Sequence, residues 1–248
     1  MNKSFTMCTD ILWQKYRTGT IPVIPDIKRK SPGEGELLSG RDPAEYAKNL
    51  ADAGAPVVSV VTETEHYGGS AEMFRRVAGS VSVPLLRKDF ITTVDQLRES
   101  ADMGASGVLL IASKLERKQL LQLAEAAAAL GLEPLIETHD RAEITFAAGM
   151  KPTFLGINNR DIRSYETDNG GVGTTELLAS YAGFDALLPA QAGSGALLLS
   201  ESSISSAEDI RRAAAAGAHA VLVGTALLRA GDPAEMYRKL SNIDVPGL

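Results

Sequence analysis

A helix-like stretch, a glycine, then a short apolar run: this punctuation recurs through the chain and constrains its fold more than any other feature. Ala53-Gly54-Ala55 leads into VVSVV, Met103-Gly104-Ala105 into GVLLI, and Ala216-Gly217-Ala218 into AVLVG. Leu130-Gly131-Leu132 leads into EPLIE, and a weaker copy, Ala148-Gly149, stands before PTFLGI. Each glycine falls where a helix wants a left-handed C-cap. Each following run is continuous and rich in Val, Leu and Ile, as a strand buried on both faces requires. Alternating helices and buried strands point to parallel β/α architecture.

Candidate strands are Val23–Ile27, Val57–Val61, Val83–Arg87, Gly107–Ile111, Glu133–Thr138, Thr153–Ile157, Ala196–Ser200 and Ala220–Gly224. Helical stretches between them include Asp42–Asp52, Val94–Met103, Glu116–Leu130, Arg141–Ala148, Gly171–Tyr181 and Ser206–Ala216. Asp42 followed by Pro43 has the chemistry of an N-cap and first helical position. About eight strands in about 250 residues fit an α/β chain forming a single (β/α)8 TIM barrel. The rival, an open doubly wound sheet, wants a glycine-rich dinucleotide turn after the first strand, and KRKSPGEGE has no GxGxxG. No linker divides residues 1–248, so one barrel domain is expected, with 1–20 as a short N-terminal extension that closes the floor or folds over the mouth. Residues 167–195 are the least regular region, and within them the small, polar stretch PAQAGSG reads as a mobile insertion before the seventh strand.

Composition narrows the function classes. Among 248 residues, 25 Lys and Arg face 31 Asp and Glu, a net charge of −6, without the basic face that nucleic acid or an anionic membrane requires. Aromatic residues are 5% with a single tryptophan, Trp13, which removes a base-stacking platform. Cys8 is the only cysteine, so no intrachain disulfide forms and a reducing, cytoplasmic setting is expected. No run resembles a signal peptide or a membrane span of about 20 apolar residues. The expected partner is a small phosphorylated molecule, with the chain a monomer or weak homo-oligomer.

In a barrel, chemistry sits where strands end. Strand one ends in Asp26-Ile27-Lys28, three in Lys88-Asp89, five at Glu137, six in Asn158-Asn159-Arg160, seven in Glu201-Ser202 and eight in Gly224-Thr225. Alternation puts Asp26 with Lys28 on one face, Leu86 with Lys88, and Leu135 with Glu137. Turned inward, they gather two lysines and two carboxylates at the mouth. Taken singly, each reads as a solvated rim residue. Their joint occurrence at one end of several strands favours acid–base catalysis, because burial moves Lys and Glu pKa values toward neutrality. Gly224 and Thr225 open the last helix, whose N-terminal amides favour an anion, and Ser202 and Ser203 occupy the neighbouring loop, so these loops suit a phosphate. The competing reading makes these residues ordinary caps. Lys28 and Ser31 add a cation and a hydroxyl. His66, His139 and His219 lack metal-site spacing, and His139 reads as a loop residue. No GxSxG or GxxxxGK[ST] occurs, so neither metal nor redox cofactor is expected.

The blocks IPDIKRKSPGEG, GAPVVSVVTETEHYGGS, VPLLRKDFITTVDQL, GASGVLLIASKL, LGLEPLIETH, LGINNRDI, SESSI and AVLVGTALL occur in that order. Together they resemble the indole-3-glycerol phosphate synthase family of tryptophan biosynthesis, LLRKDFI and GINNRD being the specific pair. The resemblance implies a decarboxylating lyase. Its substrate, 1-(2-carboxyphenylamino)-1-deoxyribulose 5-phosphate, becomes indole-3-glycerol phosphate with loss of CO2 and water. It assigns Lys88 as main general acid, Lys28 to the substrate carboxylate, Glu137 as general base, and Asn158 and Glu201 to holding sugar hydroxyls and catalytic groups. Ser31, Ser202, Ser203, Gly224 and Thr225 fall at the phosphate. Phe90, Leu109 and Ile111 fall at the anthranilate ring, with Arg160 at its edge.

Two positions depart from the family pattern: Asp26 stands for its usual Glu, and Ser203 for its usual Gly. Asp26 is expected to orient Lys28 and Lys88 from a shorter reach. The departures leave two competitors, a divergent paralogue for another aryl-amino or sugar phosphate and a noncatalytic barrel that serves as a binding partner. The intact Lys28, Lys88 and Glu137 set argues against the second.

Overall fold

The computed structural model describes residues 6–160, 171–183 and 195–245. Eight parallel strands close on themselves: β1 (Val23–Ile27), β2 (Val58–Val61), β3 (Leu85–Lys88), β4 (Gly107–Ile111), β5 (Glu133–Thr138), β6 (Phe154–Asn158), β7 (Leu197–Glu201) and β8 (Ala220–Val223). β1 pairs with β8 on one side and β2 on the other, so no sheet edge is left open. Every residue of these eight strands but half-buried Pro134 is buried, the reason these segments read as continuous apolar runs and not as alternations.

Helices cover the outside: α1 (Cys8–Tyr16), α2 (Pro43–Asp52), α3 (Ala71–Ala78), α4 (Val94–Asp102), α5 (Arg117–Ala129), α6 (Arg141–Gly149), α7 (Gly173–Leu178), α8 (Ala207–Ala215), α9 (Thr225–Arg229) and α10 (Pro233–Leu240). Their starts are written in side chains. Asp42 caps α2 through the Ala44 amide, and capping boxes join Thr93 to Gln96 and Ser206 to Asp209. At the exits, Gly54, Gly104, Gly131 and Gly217 take left-handed φ of +104°, +86°, +75° and +110°. The weaker copy is different: Gly149 is the last residue of α6 and Lys151 takes the left-handed turn, with φ +55°. The helix opened by Gly224 and Thr225 is the short α9, not the last helix, which is α10.

The N-terminal segment closes the floor. From α1, Thr9 donates its amide (3.0 Å) and hydroxyl (2.5 Å) to Glu133 at the start of β5. Trp13 and Tyr16 pack on His219, with ring centroids 4.7 and 5.6 Å away. Burial lowers the His219 pKa to about 4, and its neutral Nδ1 accepts the Leu198 amide at 3.0 Å. Within 167–195 the structure describes 171–183 and Gly195, with α7 and a 3-10 turn at Ala179–Ala182. Of the expected insertion PAQAGSG, residues 189–194 lie outside the described residues.

Candidate active site

A cavity of about 560 Å³ opens at the C-terminal ends of the strands. Asp26, Lys28, Lys88, Glu137 and Arg160 line it, with Phe90, Leu109 and Ile111 on its apolar side and Ser202, Ser203, Gly224 and Thr225 on another. Asn158 and Glu201 sit just behind, fully buried; Ser31 is not among the lining residues, and its buried hydroxyl has no hydrogen-bond partner among the described residues.

Strand register explains how residues distant in sequence meet. Glu137 lies opposite Ile111 on one side and Gly156 on the other, and Asn158 lies opposite Glu201. Gly156 leaves room for Glu201: a methyl there would meet Glu201 Oε1, so the carboxylate would have to shift. Lys88 Nζ donates to Glu201 Oε2 at 2.9 Å and lies 3.8 Å from Glu137 Oε2. Lys28 Nζ is 3.9 Å from Asp26 Oδ2, while Asp26 Oδ1 accepts from Ser59 at 2.7 Å. Asp26 therefore serves Lys28, whereas Lys88 meets Glu201 and Glu137 at these distances. The reason is geometric: β1 and β3 are separated by β2, and Asp26 faces Ser59 there.

The turn after β3 is rigidly braced. Asp89 accepts from Thr62 (2.7 Å), Arg87 (2.9 Å) and the Phe90 amide (2.8 Å), so Lys88 and Phe90 are held on either side of a fixed carboxylate. Beyond β6, Asn159 ties the loops together. It donates to Ser200 Oγ and the Glu201 and Ser202 carbonyls, and its own oxygen accepts from Thr175. Ser202 and Ser203 both have left-handed φ, +65° and +58°, and Arg160 Nε donates to Ser203 Oγ at 2.9 Å.

Burial pushes the Glu137 carboxyl up, but His139, Lys88 and Asn158 outweigh it and hold the group below the usual range. Burial raises Glu201 to about 7; the attraction of Lys88 opposes this and the nearby Glu137 and Asp26 charges add to it. One strand thus carries an ionised carboxylate while its neighbour-but-one carries one poised near neutrality.

His139 is the loop residue that its sequence suggests, just past β5, but it also lies 3.2 Å from Glu137, a contact the sequence reading did not assign. Burial lowers its pKa, but Glu137 and Glu143 overcome this and raise it to about 10. Its signal was present, because the alternation that pairs Leu135 with Glu137 continues to His139. Tyr67, after β2, also lines the cavity and carried no signal beyond its place in a family block.

No helix among the described residues is long and apolar enough to cross a membrane. A family profile described as indole-3-glycerol phosphate synthase matches residues 3–240. A protein of that name from Thermococcus kodakarensis is 38% identical over 223 residues, covering 90% of this chain and 93% of its own. Others from Carboxydothermus hydrogenoformans and Listeria monocytogenes are also 38% identical, covering 92% and 91% of this chain and 82% and 84% of theirs. With a barrel mouth of this composition and a match that runs nearly end to end, the chain belongs to the indole-3-glycerol phosphate synthase family, the decarboxylating lyases of tryptophan biosynthesis.

Proposed function

We propose that the barrel mouth turns 1-(2-carboxyphenylamino)-1-deoxyribulose 5-phosphate into indole-3-glycerol phosphate, CO2 and water, with Lys88 as the principal acid. The observation that carries this reading is Lys88 itself, a buried ammonium 2.9 Å from Glu201 and 3.8 Å from Glu137. In the first step the ring carbon bearing the carboxylate attacks the ketose carbonyl. Lys88 gives a proton to the carbonyl oxygen, where negative charge develops. The carbon–carboxylate bond then breaks, its electron pair restores the aromatic ring, and CO2 leaves. Finally the new hydroxyl departs as water with a second proton, while Glu137 removes one from the neighbouring carbon. Two protons are delivered and one is taken back, so each turnover consumes one proton from solvent.

Lys28, with Asp26 beside it, holds the substrate carboxylate until it is lost. Phe90, Leu109 and Ile111 seat the ring, Arg160 bounds it, and Asn158 and Glu201 position the sugar and Lys88. Ser31, Ser202, Ser203, Gly224 and Thr225 take the phosphate; the unpartnered Ser31 hydroxyl supports a polar ligand there. The chain acts in the cytoplasm as a monomer or weak homo-oligomer with one barrel domain.

Incubating the protein with the carboxyphenylamino sugar phosphate, without metal or nucleotide, and following indole fluorescence tests the reading. Indole signal is expected. Tight binding without any indole would favour the divergent paralogue, and neither binding nor product would sink both enzymatic readings.

A further inference from the structure

Behind Glu137 stands a second layer of charge that the reaction scheme does not use. His139 Nε2 lies 3.2 Å from Glu137 Oε1, and His139 Nδ1 lies 3.2 Å from Glu143 Oε2. Glu143 Oε2 also accepts the His139 backbone amide at 2.8 Å, so both backbone and ring are held from α6. The imidazole is buried, with a side-chain exposure of 4%. The Nε2–Oε1 approach is an ion-pair distance and not a hydrogen bond: neither Glu137 Oε1 nor His139 Nε2 makes one with any of the described residues, each other included. A neutral imidazole would bring no charge to either carboxylate, whereas an imidazolium donates from Nδ1 to Glu143 and sets a positive charge 3.2 Å from Glu137.

We propose that His139, clamped as an imidazolium by Glu143, is a positioning residue for the base: it anchors Glu137 through Oε1 and leaves Oε2, the oxygen nearer Lys88, to take the substrate proton. This rests on the role given to Glu137 above. The division of the carboxylate is geometric, since Lys88 approaches Oε2 while His139 approaches Oε1. The raised imidazole pKa agrees with a charge held between two carboxylates. Other charged groups nearby are otherwise engaged. Asp140 caps α6 through two amides, Lys114 lies on the Phe90 ring, and Glu116 and Arg117 face Glu143 across a small cavity. Lys88, with Glu201 beyond it, is the charge facing Glu137 from the other side.

The test compares kcat and KM against pH for wild type, His139→Leu, His139→Gln and Glu143→Gln. His139→Leu is expected to lower kcat about 10-fold or more, with KM changed less than about 2-fold, because a general base loses its alignment. Its acidic limb should move up by about one pH unit, since Glu137 loses an opposite charge. His139→Gln, which can still donate near the Nε2 position, should recover part of kcat but not the limb. Glu143→Gln should shift the limb in the same direction by less. Nitrogen-15 NMR of the free protein reads the clamp without turnover. Both His139 nitrogens should remain protonated above neutral pH, so an inactive wild type would defeat the functional reading and still leave the clamp testable. An unmoved acidic limb in folded Glu143→Gln and His139→Leu, or a neutral His139 at neutral pH, would overturn the proposal. Should His139→Leu fail to fold, the peripheral Glu143→Gln and the NMR state decide it.

Discussion

Glu133 and Glu137 occupy the two ends of β5, each 1% exposed, and their surroundings are opposite. At the floor, the described residues hold Glu133 by neutral dipoles: the Thr9 amide and hydroxyl and the Thr153 hydroxyl at 2.9 Å. Burial dominates there and raises its pKa despite these bonds. At the mouth, Glu137 faces an imidazole and an ammonium, and its pKa falls. At Glu133 the hydrogen bonds stitch a helix to a strand without offsetting burial, whereas at Glu137 an imidazole, an ammonium and the Asn158 amide together outweigh it. One end of the strand is built for closure, and the other keeps charge where protons move.

The sharpest test of that division is Lys88→Met. Turnover should fall by about 10²–10⁴-fold, the contribution of a positioned acid, while the fold and most ligand affinity survive. Single-turnover kinetics beside a binding isotherm separates the two effects, and a loss confined to affinity would reverse the assignment. The converse change is Glu133→Ala, which strands the Thr9 amide and two threonine hydroxyls. It should cost about 2–3 kcal/mol in chemical denaturation, with kcat unchanged below the transition. Glu133→Gln keeps an acceptor for the Thr9 amide and should cost less. An equal loss of kcat in either variant would show that floor and mouth are not independent.

A smaller effect separates the ends by pH. His139 has its pKa raised from 6.5 to about 10, so its stabilising share is complete below about 6.5 and lost as pH rises through about 10. Glu137, with a lowered value, contributes above the usual carboxylate range and loses that share as pH falls. Glu133, with a raised value, loses its share as pH rises above 4.5. Between neutral and alkaline pH, wild type should therefore lose stability relative to His139→Leu, on the order of 1 kcal/mol or about 2–4 °C for a chain of this size. Parallel melting curves would mean that His139 is not charged in the fold.

The smallest expected change is Ser203→Gly. Left-handed backbone costs a side-chain-bearing residue about 1–2 kcal/mol, and the bond from Arg160 returns about 0.5–1.5. Thermal unfolding should show a gain below about 1 kcal/mol. A clear loss would mean that the Arg160 bond outweighs the strain.

The barrel was legible because its strands are apolar on both faces, and β1, β4 and β5 run over the expected residues. β3, β6 and β7 each end one residue later than expected, on Lys88, Asn158 and Glu201, and begin one or two residues later. The ends were drawn one residue short of the polar site residue, which the structure shows still paired within the sheet. Lys28, Lys88 and Glu137 were legible from alternation. His139 obeys the same alternation, but it lies just past the end of β5, where the expectation of a loop took precedence. The pairing of Lys88 with Glu201 was out of reach, since it depends on register across the closed sheet and on room left beside Gly156. The left-handed turn at Lys151 was also hidden, because a glycine two residues earlier was the better local candidate.

Gly156 carries no functional group, yet it leaves the space that the Glu201 carboxylate fills beside Lys88. The hydrogen on its α-carbon is a slot cut into one strand for the side chain of the next. Anyone transplanting this site onto another barrel would have to move the slot with the glutamate, because the two positions form a single transferable part. A mutational library scored on each position alone would see an inert glycine and an intolerant glutamate. Scored as pairs, it should find enlarging the first better tolerated when the second is shortened.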